Sequence, residues 1–220
     1  MFSQDWNTIY KKNKQVNNWP WSELVSYFNR YTKKKIQKNF NVLEIGSGTG
    51  PNAIFFFKNN NKYKEIDGKK KKVKIQKKKY PKYKKNFVCA DFTKSLKFKE
   101  KFNLIFDRGS ITHNGSVAVQ DTVKLIKKRL KKNGYFFGLD WFSTSHSDYK
   151  KGKVTTDKQT KIYSSGNLSG VGNVHFFDKN EIKKIFKSFQ IIELVEKKYS
   201  YHKKNKKKII SFWIIIVKKK

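Results

Sequence analysis

Three glycines at alternate positions, Gly46, Gly48 and Gly50, follow a short apolar run, Val42 to Ile45, that carries one acid, Glu44. A strand that ends in such a run and gives way to a helix leaves backbone N–H groups facing a ligand with no side chains in the way. Pro51 stands where that helix begins, a position that tolerates its missing N–H and preset φ. Ser47, Thr49 and Asn52 supply polar atoms around the turn. A nicotinamide dinucleotide fingerprint needs its third glycine where Pro51 stands, so the run departs from that pattern. Asp67, followed by Gly68, comes 23 residues after Glu44, enough for one turn, one helix and one strand. At the tip of the second strand of an α/β nucleotide fold, a carboxylate accepts both hydroxyl protons of a ribose, which neither an amide nor an ammonium can do. Asp91-Phe92 follow a third β-rich run, Phe87 to Ala90. An acid there can accept from the adenine amino group beside an aromatic ring. The plainer use of Asp91 is to cap its own turn, and the company of the glycine run and Asp67 favours adenine.

A polar cluster, Asp107-Arg108-Gly109-Ser110, closes a fourth run, Phe102 to Phe106, and leads to His113. The carboxyl ends of central strands are where open α/β sheets place ligands. His113 and His146 are candidate general bases, with Asp148 a weaker one, although a histidine satisfied within the fold is the plainer reading of each. Arg108 can grip a substrate carboxylate or phosphate, or simply pair with Asp107. The four histidines are scattered without ligand spacing, so no metal is expected. Cys89 is the only cysteine. It excludes an internal disulfide, reads as a small core residue within an apolar run, and fits a reducing compartment.

The elements that must position these groups can be read in order. Trp6, Tyr10, Trp19-Pro20-Trp21 and an amphipathic helix from Ser22 make an aromatic N-terminal segment, either a staple packed on the domain or a lid over the ligand. Strands and helices then alternate through five units, which indicates a doubly wound, mostly parallel sheet. Val117 to Lys132 reads as a helix ended by Asn133-Gly134, and Tyr135 to Leu139 as the fifth strand. The polar, glycine-bearing stretch from about 141 to 174 is too long for a plain connection and reads as a lid. Ile191 to Val195 and Ile209 to Val217 read as a closing antiparallel hairpin.

The chain has 220 residues, 37% of them apolar, which suits one domain with a proper core. Its formal charge is +36, from 52 basic side chains of which only Arg30, Arg108 and Arg129 are arginines, leaving 49 lysines. Dedicated phosphate readers use the bidentate fork of arginine, so solvated lysine faces explain this bias more simply than a nucleic-acid groove. Nonspecific sticking to nucleic acid at low salt follows from either. No stretch suggests a signal peptide or a membrane span, and a cytoplasmic protein is expected.

Together the glycine run after Glu44, Asp67, Asp91, the Asp107 cluster and the final hairpin resemble class I S-adenosylmethionine-dependent methyltransferases over roughly residues 38–220. The resemblance implies an α/β, doubly wound, Rossmann-like seven-stranded sheet, mostly parallel with an antiparallel last strand. It implies that residues 1–37 form a lid segment and that 141–174 is an insertion in the domain. It implies S-adenosylmethionine as cofactor, held by Gly46, Ser47, Gly48 and the neighbouring Thr49, Gly50 and Asn52, with Glu44 supporting the turn. Asp67 and Gly68 would take the ribose, Asp91 and Phe92 the adenine, and Asp107 or its neighbours the methionine amino group. The flanking motifs, Trp6, Tyr10 and Trp19-Pro20-Trp21, then Asp107-Arg108-Gly109-Ser110, then Gly166-Asn167-Leu168-Ser169-Gly170-Val171-Gly172, are similar to a generic bacterial group, which implies methyl transfer to an O or N atom of a small molecule, such as a sugar. The motif of DNA amino-methylating enzymes and the Pro-Cys of cytosine-carbon enzymes are both missing. An RNA or tRNA methyltransferase, supported by the charge, and a non-catalytic cofactor- or polyanion-binding protein are the alternatives.

Overall fold

The computed structural model describes residues 17–32, 40–203 and 206–220. Trp6 and Tyr10, expected in the staple or lid segment, lie outside these residues. Helix α1 (Ser22–Thr32) leads to β1 (Asn41–Ile45), α2 (Ala53–Lys58), β2 (Lys62–Asp67), α3 (Lys70–Lys79), β3 (Phe87–Cys89) and β4 (Phe102–Arg108). Helix α4 (Ser116–Arg129) and β5 (Leu130–Phe142) follow. Then come the short strands β6 (Lys153–Val154), β7 (Thr160–Ile162) and β8 (Val174–His175), and finally α5 (Lys179–Ile185), β9 (Phe189–Lys203) and β10 (Lys206–Lys219).

Seven strands form one sheet in the order β3-β2-β1-β4-β5-β10-β9, in which β10 alone runs against its neighbours. This is the doubly wound sheet with a reversed last strand that the resemblance to class I methyltransferases implies. Strand alternation divides the core into two layers. Leu43, Ile45, Ile105 and Phe136 face α4 and α5, where Val119, Val123, Ile182 and Phe186 meet them. Val42, Tyr63, Leu104 and Phe137 face the other way, onto Leu24 and Phe28 of α1 and Phe56 of α2. No helix among the described residues is long and apolar enough to cross a membrane.

Three local expectations change. Helix α4 ends at Arg129, and Leu130 is already extended, so Asn133-Gly134 sits in the irregular start of β5, with Asn133 at φ +61°, and does not cap the helix. The stretch from 141 to 174 is partly regular, because β6, β7 and β8 form a small antiparallel sheet of their own. Cys89 is exposed, because β3 is a three-residue edge strand whose last residue lies at the rim of the core.

A separate open groove of about 1010 Å³ lies between α4 and α5, lined by residues that include Lys124, Lys127, Lys184 and Lys219. None of the motif residues reaches it.

Candidate active site

The first turn after β1 is wound so tightly that Gly46, Gly48 and Gly50 all have positive φ, between +58° and +68°. At Gly46 a side chain is also excluded by space, since a Cβ would come 2.2 Å from Ser110 Cβ and Oγ. The turn is tied from two sides. The Gly46 N–H donates to the Ile66 carbonyl at 2.7 Å, and the Gly48 N–H donates to Asp67 Oδ2 at 2.9 Å. Asp67 Oδ1 accepts from the Lys69 N–H at 2.7 Å. Burial raises the Asp67 pKa, while these two N–H donors and the nearby Lys72 and Lys69 charges oppose the rise.

A cavity of about 340 Å³ opens above this turn. Of the residues singled out in the sequence, Glu44, Gly46, Ser47, Gly48, Thr49, Asp67, Gly68, Phe92, Arg108 and His113 line it. Gly50, Asn52, Asp91, Asp107 and His146 do not. Gly50 packs on Gln76, whose amide donates to the Thr49 carbonyl, and so braces the turn from behind. Asn52 is spent on its neighbours: Nδ2 donates to Glu44 Oε1 at 2.9 Å, and Oδ1 accepts from the Trp21 N–H at 3.1 Å. Asp91 accepts from the Thr93 N–H and hydroxyl at 3.0 and 2.6 Å, the turn-capping use, and this turn presents Phe92 to the cavity.

Asp107 is fully buried and consumed by the protein. Its Oδ1 accepts from the Ser110 N–H at 2.9 Å, the Ile111 N–H at 3.1 Å and the Ser110 hydroxyl, and its Oδ2 accepts from Trp141 Nε1 at 2.8 Å. Burial pushes its pKa up to about 6 against those donors. It therefore shapes the loop whose Gly109 and Ser110 line the cavity. Trp141 reaches it because Asp140 takes a left-handed φ of +54°, which breaks the alternation of β5 and swings the indole onto the α4 side.

Arg108 pairs with Asp140 at 2.6 Å, and the sequence expectation of an Asp107 partner is corrected: neighbours on a strand point to opposite faces, so Asp107 turns inward and Arg108 outward. Its guanidinium also lies 3.4 Å over the Trp21 ring. Asp140 bonds Lys197 at 3.1 Å, and Lys197 bonds Glu23 at 2.6 Å. This network holds the start of α1 against the cavity rim, where Asn17 and Trp21 form part of the lining.

His113 and His146 have different surroundings. His146 is enclosed by Phe142, Phe176 and Phe212, accepts from the Asp148 N–H at 3.0 Å, and has its pKa lowered by burial. It is a satisfied core residue beside the site. His113 lines the cavity, with Nδ1 2.9 Å from the Asn173 carbonyl oxygen. A carbonyl only accepts, so Nδ1 carries the hydrogen and Nε2 the lone pair. Burial lowers its pKa to about 4, so the ring is neutral at pH 7.

Leu168, Val171, Phe142 and Phe212 complete the lining beside His113. Sequence reasoning quoted Leu168 and Val171 only as part of the glycine-bearing run from Gly166 to Gly172, and did not single out Phe212, which arrives from β10. The positive φ values of Gly166, Gly170 and Gly172 let the loop around Leu168 and Val171 turn over the cavity.

The comparisons agree with this geometry. Residues 43–138 match the family model described as a methyltransferase domain. Among solved structures, the fold is similar to an S-adenosylmethionine-dependent methyltransferase from Methanosarcina mazei, at 16% identity and TM-score 0.69, covering 91% of this chain and 98% of that one. It is similar to the 1,6-didemethyltoxoflavin-N1-methyltransferase of Burkholderia thailandensis, at 14% identity and TM-score 0.67, covering 98% and 85%. It is also similar to the N-methyltransferase NodS of Bradyrhizobium japonicum, at 10% identity and TM-score 0.64, covering 98% of both chains. No curated protein sequence matches this chain. Residues 43–138 thus match a methyltransferase domain, and the chain as a whole has the fold of these S-adenosylmethionine-dependent methyltransferases.

Proposed function

We propose that the enzyme transfers a methyl group from S-adenosylmethionine to a nitrogen or oxygen atom of a small molecule. One observation carries this reading: a single cavity runs from the glycine turn and Asp67 at one end to neutral His113 at the other. The residues fit the cofactor. Gly46 lines the cavity with bare backbone, since Ser110 takes the room a Cβ would need, and Asp67 offers the acceptor oxygens a ribose diol needs. Gly46, Ser47 and Gly48 would face its methionine portion, Asp67 its ribose and Phe92 its base, with Glu44, Asn52 and Asp107 holding the loops in place. S-adenosylmethionine supplies an electrophilic methyl group on a positively charged sulfur.

The chain's own part is positioning and proton handling. Phe142, Phe212 and Leu168 would hold the acceptor against the cofactor end and exclude water. His113 Nε2 would take the proton that a hydroxyl or protonated amine must lose, its ring fixed by the Asn173 carbonyl. Residues 141–174 act as the roof, and Asn17 and Trp21 form part of the rim. A cavity of about 340 Å³ under such a roof suits a small acceptor better than a polynucleotide, and Lys69 is the one lysine among its described lining residues. The test is calorimetric titration of the folded protein with S-adenosylmethionine, beside NAD, at high salt. Saturable binding of the former alone is expected, and no binding would overturn the reading.

A further inference from the structure

The pairing of β1 with β2 sets Glu44 directly beside Glu65 on adjacent parallel strands, both on the face that meets α1 and α2. Adjacent strands lie about 4.8 Å apart, so two acids in register on one buried face are close neighbours. Both are almost wholly shielded from water. Tyr63, two residues before Glu65 on the same face, reaches both: its hydroxyl is 3.0 Å from Glu65 Oε2 and also hydrogen-bonds Glu44 Oε2. A phenol has one proton and can donate to only one of them. The other carboxyl can meet the phenol oxygen only by donating a proton of its own. Glu44 has a second donor in Asn52 Nδ2. Glu65 has only the Ser47 hydroxyl, which faces it without reaching normal hydrogen-bond geometry. The proton therefore belongs on Glu65, and the chain runs from Glu65 through Tyr63 to Glu44, with Asn52 donating from the other side.

We propose that Glu65 is a positioning residue for the cofactor: through Tyr63 it fixes Glu44, and with it the glycine turn, and it does so only while the two carboxyl groups share a proton. The inference rests on the cofactor reading given above. The surrounding groups agree. Asp67 on β2 and Asp107 on β4 add negative charge around Glu44, while Lys69 and Lys72 face Asp67 at the edge. Losing the shared proton would leave two adjacent buried anions beside two more acids, and the turn would have to move to separate them. Burial, with the Glu44 charge adding to it, holds the Glu65 carboxyl well above the ordinary range.

The experiment measures S-adenosylhomocysteine affinity from about pH 6.5 to about pH 9.5 for wild type, Glu65→Gln and Tyr63→Phe, at high salt. Wild-type Kd should rise at least about tenfold over the alkaline half of that range. Glu65→Gln keeps a donor toward Tyr63 and cannot ionise, so its affinity at neutral pH should stay within about threefold and the alkaline loss should shrink to the ligand's own titration. Tyr63→Phe removes the bridge and should weaken binding at least about tenfold at neutral pH. A wild-type curve with no alkaline loss, a Glu65→Gln curve parallel to wild type, or unchanged affinity in Tyr63→Phe would each overturn the proposal. If Glu65→Gln does not fold, the wild-type curve and Tyr63→Phe decide alone. Absence of any binding by folded wild type would instead remove the cofactor reading on which the proposal stands.

Discussion

Replacing Asp67 by asparagine changes a single atom's chemistry at the centre of the site, and its consequence can be worked out. Each carboxylate oxygen accepts one backbone N–H, from Gly48 at 2.9 Å and from Lys69 at 2.7 Å. An asparagine offers one accepting oxygen and one NH₂ group, so one of these N–H groups must face another donor. A hydrogen bond to a charged group contributes about 1.5–3 kcal/mol, and that loss falls on the turn and so on stability. The ribose loses in the same way, since one of its hydroxyls would meet a donor in place of an acceptor. A second loss of about 1.5–3 kcal/mol weakens S-adenosylmethionine binding about 10- to 100-fold. Calorimetric titration gives the affinity and thermal unfolding the stability. Asp91→Asn, whose side chain caps its own turn, is the companion variant and should stay within about threefold of wild type. Asp67→Asn binding within threefold of wild type, or Asp91→Asn losing as much as Asp67→Asn, would refute the assignment.

Other outcomes follow from the same geometry. His113 has an ordinary pKa near 6.5 when unfolded and about 4 in the folded chain. Between those values the unfolded state binds the proton first, so stability is full above about pH 6.5 and is lost as pH falls toward about 4, by about 3 kcal/mol. Denaturant unfolding across this window should show a loss about 3 kcal/mol smaller in His113→Gln than in wild type, the remaining slope coming from His146 and other groups; once an acceptor is found, His113→Gln should lower turnover about 10²–10⁴-fold with little change in cofactor affinity. Gly46→Ala combines a left-handed φ with a Cβ 2.2 Å from Ser110, and should lower the unfolding midpoint by several degrees and abolish measurable cofactor binding. Arg108→Ala removes both the Asp140 pair and the stacking on Trp21, which should blue-shift or broaden the change in tryptophan fluorescence on ligand addition and weaken affinity about threefold to tenfold.

The sequence by itself determined the frame. Alternating β-rich and helical runs, a glycine turn that only glycine can wind, and acids at 44, 67 and 107 are local signals, because strand period, turn chemistry and spacing are set by neighbouring residues. They were enough to place the cavity at the carboxyl ends of β1, β2 and β4. The tertiary structure decided which atoms face it. Asp91 and Asp107 stand at the expected strand tips, yet their oxygens are taken by Thr93, Ser110, Ile111 and Trp141. His113 and His146 look alike in sequence, and only the packing of Phe142, Phe176 and Phe212 separates a lining ring from an enclosed one. Glu65 passes unnoticed in the chain because its partner lies 21 residues earlier, and the strand register alone sets it beside Glu44. Hydrogen-bond partners and burial are properties of contacts between distant segments, and those exist only once the sheet has closed.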